Sequence, residues 1–117
     1  MLRVFSVMVG ALLLAGSAFA HSTKEGTVPE DGAMLDAAPT EISIRFDEPA
    51  TLTRVELTHS HGNDSGETRL DAPREASDAA TLEAPGLGPG TYTVDWRALS
   101  ADGHPVNGSF SYTVTGD

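Results

Sequence analysis

The chain has 117 residues, contains no cysteine, and carries 17 acidic against 7 basic residues, for a formal net charge of −10 at neutral pH. A field of that sign repels nucleic acid and anionic lipid and attracts cations, which argues against a nucleic-acid-binding function. Without cysteine, the fold must depend on packing and strand pairing rather than on disulfides.

Residues 1–20 have the layout of a secretory signal peptide. Arg3 supplies the positive start, an apolar core follows, and a small-x-small cleavage site ends at Ala20. The apolar core is shorter than the roughly 20 residues that span a bilayer, so cleavage is favoured over an uncleaved anchor. We therefore expect one mature domain, residues 21–117, exported to the periplasm and not inserted in a membrane.

Apolar and polar residues alternate in several short segments of the mature part, a pattern typical of strands with one face in a core. It predicts strands at 41–46, 53–59, 91–98 and 108–114. The side chains expected to face the core are Ile42, Ile44, Phe46, Val55, Leu57, Tyr92, Val94, Trp96, Ala98, Phe110, Tyr112 and Val114.

Turn-forming residues separate these strands, at 29–32, 62–64, 85–90 and 102–105. We expect a single helical turn at 33–38 and a loop or short turn at 73–80. Short strands joined in this way predict an all-β fold. The best match is a two-sheet antiparallel β-sandwich of about seven strands, of the Greek-key, Ig-like kind.

His21 directly follows the predicted cleavage site, so processing would give it a free α-amine beside its imidazole. The amine nitrogen and the ring Nδ1 can then chelate one metal ion. The amine has a reference pKa of about 7.7–8.0, so a metal can displace its proton near neutral pH. Together with another imidazole and a carboxylate, these nitrogens form the donor set that Cu(II) prefers. A histidine left at this position by chance is the alternative.

Asp102 and His104 flank Gly103 between two predicted strands. Residues two apart on extended backbone project to the same side, so this carboxylate and imidazole could hold one ligand. A hairpin turn with an incidental histidine explains the spacing equally well. The spacing alone leaves both interpretations open.

Taken in order, these segments resemble the CopC family of periplasmic copper-resistance and copper-homeostasis proteins. The resemblance rests on His21, the turn at 29–33, the Phe-Asp-Glu sequence at 46–48, and above all GTYTVDWR at 90–97 and SADGHPVNG at 100–108. It extends over nearly the whole mature chain and implies a Greek-key β-sandwich that binds one Cu(II) ion.

The resemblance also implies the ligands of that ion. They would be the amine and imidazole of His21, the imidazole of His104 and the carboxylate of Asp102. Glu48 is implied as a further ligand, with a solvated charge beside Pro49 as the alternative.

Some CopC-like proteins carry a methionine-rich loop after the second strand that binds Cu(I). Here the corresponding residues, 59–66, read HSHGNDSG, and Met34 is the only methionine after residue 20. We expect Met34 to fill a gap in the core, and without thioether sulfur no Cu(I) site is expected. His59 and His61 could form a weak second divalent-metal site, but a solvated loop is the preferred interpretation.

The resemblance implies a monomeric Cu(II) carrier or buffer that is not an enzyme and that passes copper to a CopD-type inner-membrane partner. A copper monooxygenase with an N-terminal histidine brace is the enzymatic alternative, although so short a chain leaves little room for a substrate surface. A metal-free Ig-like interaction module is the third hypothesis, since a fold does not determine a function.

Overall fold

A computed structural model describes residues 26–116, so the expected leader and His21 lie outside the described residues. The described part contains seven strands and no helix. The strands are β1 (Gly26–Val28), β2 (Ala33–Leu35), β3 (Glu41–His61), β4 (Asp64–Arg69), β5 (Ser77–Glu83), β6 (Gly90–Ser100) and β7 (Pro105–Val114). The predicted all-β sandwich is confirmed. Within residues 26–116, no helix is long and apolar enough to cross a membrane.

β3 is the longest strand and takes part in both layers of the sandwich. Residues 41–45 pair with β1 and β5, whereas residues 50–60 pair with β6, and β4 lies along the last part of β3. The register with β5 shifts between Arg45 and Ala50, next to Pro49, which has no backbone N–H to donate. The strands predicted separately at 41–46 and 53–59 are therefore one strand that bends from one layer into the other.

The second layer continues from β3 through β6 and β7 to β2 at its edge. β2 pairs in parallel with β7, with Ala33 opposite Tyr112, and every other strand pair among the described residues is antiparallel. The helical turn predicted at 33–38 is wrong, because pairing with a distant strand holds residues 33–35 in extended conformation. Of the segment 73–80, only residues 73–76 are irregular, since β5 begins at Ser77.

The core lies between the two layers, and every side chain predicted to face it is buried. Phe46 contacts Trp96 edge to face at 5.4 Å, which connects the bend of β3 to the middle of β6. Tyr92 stacks on Tyr112 at 5.0 Å. The expectation for Met34 is wrong: it is 70% exposed, because its neighbours on β2 occupy the inward positions of the alternation.

Tyr92 and Tyr112 are both buried, but their hydroxyl groups differ. The Tyr92 hydroxyl accepts from the Leu87 backbone N–H at 2.9 Å and donates to the Gly88 carbonyl at 2.6 Å, which ties the 85–89 loop to the core. The Tyr112 hydroxyl has no hydrogen-bond partner among the described residues, and burial raises its pKa to about 12. The Tyr92 hydroxyl thus stabilises a loop, while the Tyr112 hydroxyl is buried without a hydrogen-bond partner among the described residues.

These two tyrosines offer a matched test of the packing. Tyr92→Phe should lower the free energy of unfolding by about 1–3 kcal/mol, because the Leu87 N–H and the Gly88 carbonyl lose their partner. Tyr112→Phe removes only an unpaired hydroxyl and should be neutral or slightly stabilising. Urea denaturation of both variants measures this. A larger loss for Tyr112→Phe than for Tyr92→Phe would contradict the described contacts.

Candidate metal centre

The hairpin between β6 and β7 carries both Asp102 and His104. It closes through two backbone hydrogen bonds, from Ser100 N–H to the His104 carbonyl at 2.8 Å and from Gly103 N–H to the Ser100 carbonyl at 2.9 Å. Gly103 has φ of +89°, a conformation that glycine adopts without the cost a Cβ would bring. The predicted turn is therefore a tight hairpin with both candidate side chains at its tip.

The bend of β3 lies beside this hairpin. The Ala101 N–H donates to the Pro49 carbonyl at 3.1 Å, which holds the two segments together. Between them is a cleft of 220 Å³. The residues that line it are Phe46, Asp47, Glu48, Ala50, Ser100, Asp102, His104 and Val106. The structure thus brings Glu48, Asp102 and His104 to one cleft, although they come from segments far apart in the sequence.

Asp102 and His104 contact each other at the hairpin tip. The His104 Nδ1 lies 3.0 Å from the Asp102 Oδ1, and both side chains are mostly exposed. An ionised carboxylate only accepts hydrogen bonds, so in this contact Nδ1 carries the proton. In the neutral imidazole, Nε2 then keeps the lone pair that a metal ion can take.

Ser100, which no sequence pattern marks as a site residue, contacts both Asp102 and His104. Its hydroxyl donates to the Asp102 Oδ1 and accepts from the His104 backbone N–H at 3.1 Å. The hydrogen bond from Ser100, followed by that from His104, lowers the pKa of Asp102 to about 2. This carboxylate is therefore ionised throughout the neutral range. The signal that could have revealed Ser100 is a hydroxyl two residues before Asp102 at a strand end.

His59 and His61 lie at the other end of β6, roughly 30 Å from the hairpin along an extended strand. Their rings converge on one atom: His59 Nε2 and His61 Nδ1 lie 2.9 and 2.8 Å from the Pro89 carbonyl oxygen. His59 also packs against Tyr92 at 4.6 Å. The absence of a side chain at Gly90 leaves space for the His59 ring, because a Cβ there would lie 2.7 Å from its Nε2. The segment predicted as a loop is thus the end of β3 at these histidines, where His61 is exposed and His59 is partly buried.

The described residues do not by themselves form a metal-binding group. Residues 26–116 contain no group of three or more histidine, aspartate or glutamate side chains arranged to hold a metal ion. The donors that do meet at the hairpin are nitrogen and oxygen only, which suits Cu(II) or another divalent ion rather than Cu(I). His21 lies outside the described residues, so its position relative to this cleft remains a prediction.

Comparison with known proteins gives consistent matches. A family model described as the CopC domain matches residues 24–115. The chain is 32% identical over 120 residues to copper resistance protein C of Escherichia coli, covering 93% of this chain and 94% of that protein. It is 35% identical over 117 residues to copper resistance protein C of Xanthomonas campestris pv. juglandis, covering 92% and 91%. The copper transport protein CutJ of Bacillus subtilis (strain 168) is 26% identical over 88% of this chain, but over only 20% of its own length.

Comparison with solved structures gives matches of the same kind. PcoC, a methionine-rich copper resistance protein from Escherichia coli, superposes with a TM-score of 0.59 at 30% identity, covering 82% of this chain and all of that one. CopC from Methylosinus trichosporium OB3b gives a TM-score of 0.61 at 25% identity, covering 79% and 92%. The sandwich described above is therefore similar to that of solved copper resistance proteins.

The depressed pKa of Asp102 gives a prediction for the metal-free protein. Its carboxyl should titrate at about 2 in the folded chain, against an ordinary value of 3.8. Because the folded pKa is the lower one, the resulting stabilisation is present above pH 3.8 and is lost as the pH falls towards 2. Carbon-13 NMR of the side-chain carboxyls measures this, with the urea-unfolded chain as the control. Titration at the ordinary value in the folded protein would mean that Ser100 and His104 do not hold this carboxylate.

Proposed function

The chain belongs to the CopC family, and on this premise we propose that it is a periplasmic Cu(II)-binding protein that carries or buffers copper in copper resistance. The observation that carries the proposal is the exposed Asp102–His104 pair, held at a tight hairpin beside the cleft that Glu48 lines. The names of the curated relatives, two of them copper resistance proteins and one a copper transport protein, support copper as the metal.

We propose that the mature chain begins at His21 and that its amine and imidazole complete the site. The direction of β1 supports this, because Val28 pairs with Ser43 and Gly26 with Arg45. Followed backwards from Gly26, the chain thus heads towards the bend of β3, where the cleft lies. Residues 21–25 can span at most about 17 Å in extended conformation. The direction of β1 thus supports a site that the N-terminal donors share with His104.

The donor set explains why the proposed cargo is Cu(II). Imidazole, amine and carboxylate groups suit Cu(II), whereas Cu(I) favours thioether and thiolate sulfur. The chain has no cysteine, and Met34 lies on β2, which pairs with the far end of β7 from the hairpin. Asp102, and Glu48 if it ligates, would offset the charge of the ion. We propose binding and release of copper as the activity, and no catalytic step.

An exposed site also suits transfer to another protein. Asp102 and His104 lie at the tip of a hairpin rather than in the interior, so a partner could approach them directly. The match to one fifth of a longer protein named as a copper transport protein supports a link to copper transport. We propose a CopD-type membrane transporter as that partner.

Ligand variants of the protein starting at His21 test this proposal. His104→Ala should lower Cu(II) affinity by a hundredfold or more, on the order of 3 kcal/mol, because it removes one of three nitrogen donors. Asp102→Asn should weaken binding less, and one extra residue before His21 should weaken it strongly because the chelate is lost. His61→Ala is the matched control and should change little. Competition with a chromophoric chelator measures affinity, and electron paramagnetic resonance reports the number of nitrogen ligands.

Affinity should also fall as the pH is lowered, because protons compete with the metal for the N-terminal amine, whose reference pKa is about 7.7–8.0. If His61→Ala changes the spectrum while His104→Ala leaves it intact, copper is bound at the opposite end of the sandwich. Equal Cu(II) affinity with and without the extra N-terminal residue would remove His21 from the site.

A further inference from the structure

Ser100 contacts Asp102 and His104, the two hairpin residues that the proposed function names as copper ligands. It is the last residue of β6 and is only partly exposed, whereas Asp102 and His104 are 63% and 77% exposed at their side chains. Its hydroxyl contacts both residues, the carboxylate of Asp102 and the backbone of His104. Ser100 is therefore the least exposed member of this group of three.

The direction of each hydrogen bond follows from the chemistry of the groups. The His104 backbone N–H can only donate, so the Ser100 oxygen accepts from it at 3.1 Å. An ionised carboxylate can only accept, so the single Ser100 hydroxyl proton points to the Asp102 Oδ1. Both roles of the hydroxyl are thus used, and neither can be reversed.

The same oxygen of Asp102 then contacts His104 Nδ1 at 3.0 Å. A closed circuit results, running from the His104 backbone through Ser100 and Asp102 back to the His104 ring. Exposed side chains normally sample several rotamers, and ordering them on binding costs conformational entropy. A circuit of this kind orders the two side chains before any metal arrives.

We propose that Ser100 is a positioning residue of the copper site: it holds the Asp102 carboxylate, which through its contact with Nδ1 fixes the His104 ring with Nε2 free for the metal. We assign it no ligand role, because its hydroxyl donates to one of these residues and accepts from the other. This inference rests on the proposed function and extends it, since it concerns how the same site is organised.

The backbone of the hairpin does not depend on the hydroxyl. The bonds between Ser100 N–H and the His104 carbonyl, and between Gly103 N–H and the Ser100 carbonyl, use main-chain atoms only. The bond from Ala101 to Pro49 is also main chain. Ser100→Ala should therefore keep the hairpin and release only the side chains, which separates positioning from folding.

The test compares Ser100→Ala, Ser100→Thr and Ser109→Ala in the chain starting at His21. Ser109 is an exposed serine on β7 away from the cleft, so its variant is the matched control. Ser100→Ala should weaken Cu(II) binding by about 10- to 100-fold, as loss of a group that orients metal ligands typically does. Ser100→Thr retains the hydroxyl and should restore affinity to within a few-fold. Ser109→Ala should match the parent protein.

Two further readouts complete the test. In the metal-free protein, amide hydrogen exchange of His104 should speed up in Ser100→Ala and not in Ser100→Thr, because its acceptor is lost only in the former. The copper electron paramagnetic resonance spectrum of Ser100→Ala should broaden as the ligand geometry becomes less uniform. A change confined to the His104 amide, with core amides exchanging as in the parent protein, separates loss of this hydrogen bond from general destabilisation of the fold.

The outcomes distinguish this inference from the proposed function. If His104→Ala abolishes binding while Ser100→Ala binds like the parent, the copper site stands and the role of Ser100 is overturned. Failure of Ser100→Thr to restore affinity and the exchange rate would overturn it as well. If His104→Ala itself leaves binding unchanged, the site is elsewhere and both proposals fail.

Discussion

The uninterrupted pairing of β6 with β7 is the constraint on which the candidate site depends. The register runs without a shift from Gly90 opposite Val114 to Leu99 opposite Pro105. Alternation along both strands buries one face in the core and leaves the turn no freedom to slip, since a shift by one residue would expose that buried face. The turn at 101–104 therefore has one position, and Asp102 and His104 are held at its tip.

A second segment reaches the same place because β3 bends. Phe46 anchors the bend in the core against Trp96, and the residues that follow it, including Glu48, emerge at the rim beside the hairpin. The bond from Ala101 to Pro49 joins the two segments through backbone atoms alone. The scaffold is thus built by pairing and packing, while the polar side chains that could hold a metal remain at the surface, where ionised groups retain their hydration.

The sequence was informative where the alternation within a single strand determines which of its side chains are buried. Alternation placed Ile42, Val55, Tyr92 and Phe110 in the core, and Gly103 marked the turn. Sequence-based prediction failed where pairing with a distant strand, or contact with a single backbone atom, determines the local conformation. β2 is extended because it pairs with β7, some 80 residues away, and this pairing also turns Met34 outwards. No local pattern predicts such a contact.

The histidine pair shows the same limit. The spacing of His59 and His61 correctly suggested a shared face, but the target of both rings is the carbonyl of Pro89, from another loop. Ser100 was overlooked because a lone serine at a strand end is common, and its role depends on the hairpin that follows. His21 remains a sequence-based prediction, since it lies outside the described residues.

In the proposed function, copper is held at the hairpin end of the sandwich by the N-terminus and the Asp102–His104 pair. The most direct measurement is a two-dimensional proton–nitrogen NMR spectrum of the mature protein with and without Cu(II), since the paramagnetic ion broadens the signals of nearby amides. Amides of residues 47–48 and 100–106 should lose their signals, while those of residues 59–61, roughly 30 Å away along β6, should persist. Loss of the signals around 59–61 with the hairpin unaffected would contradict this position of the copper.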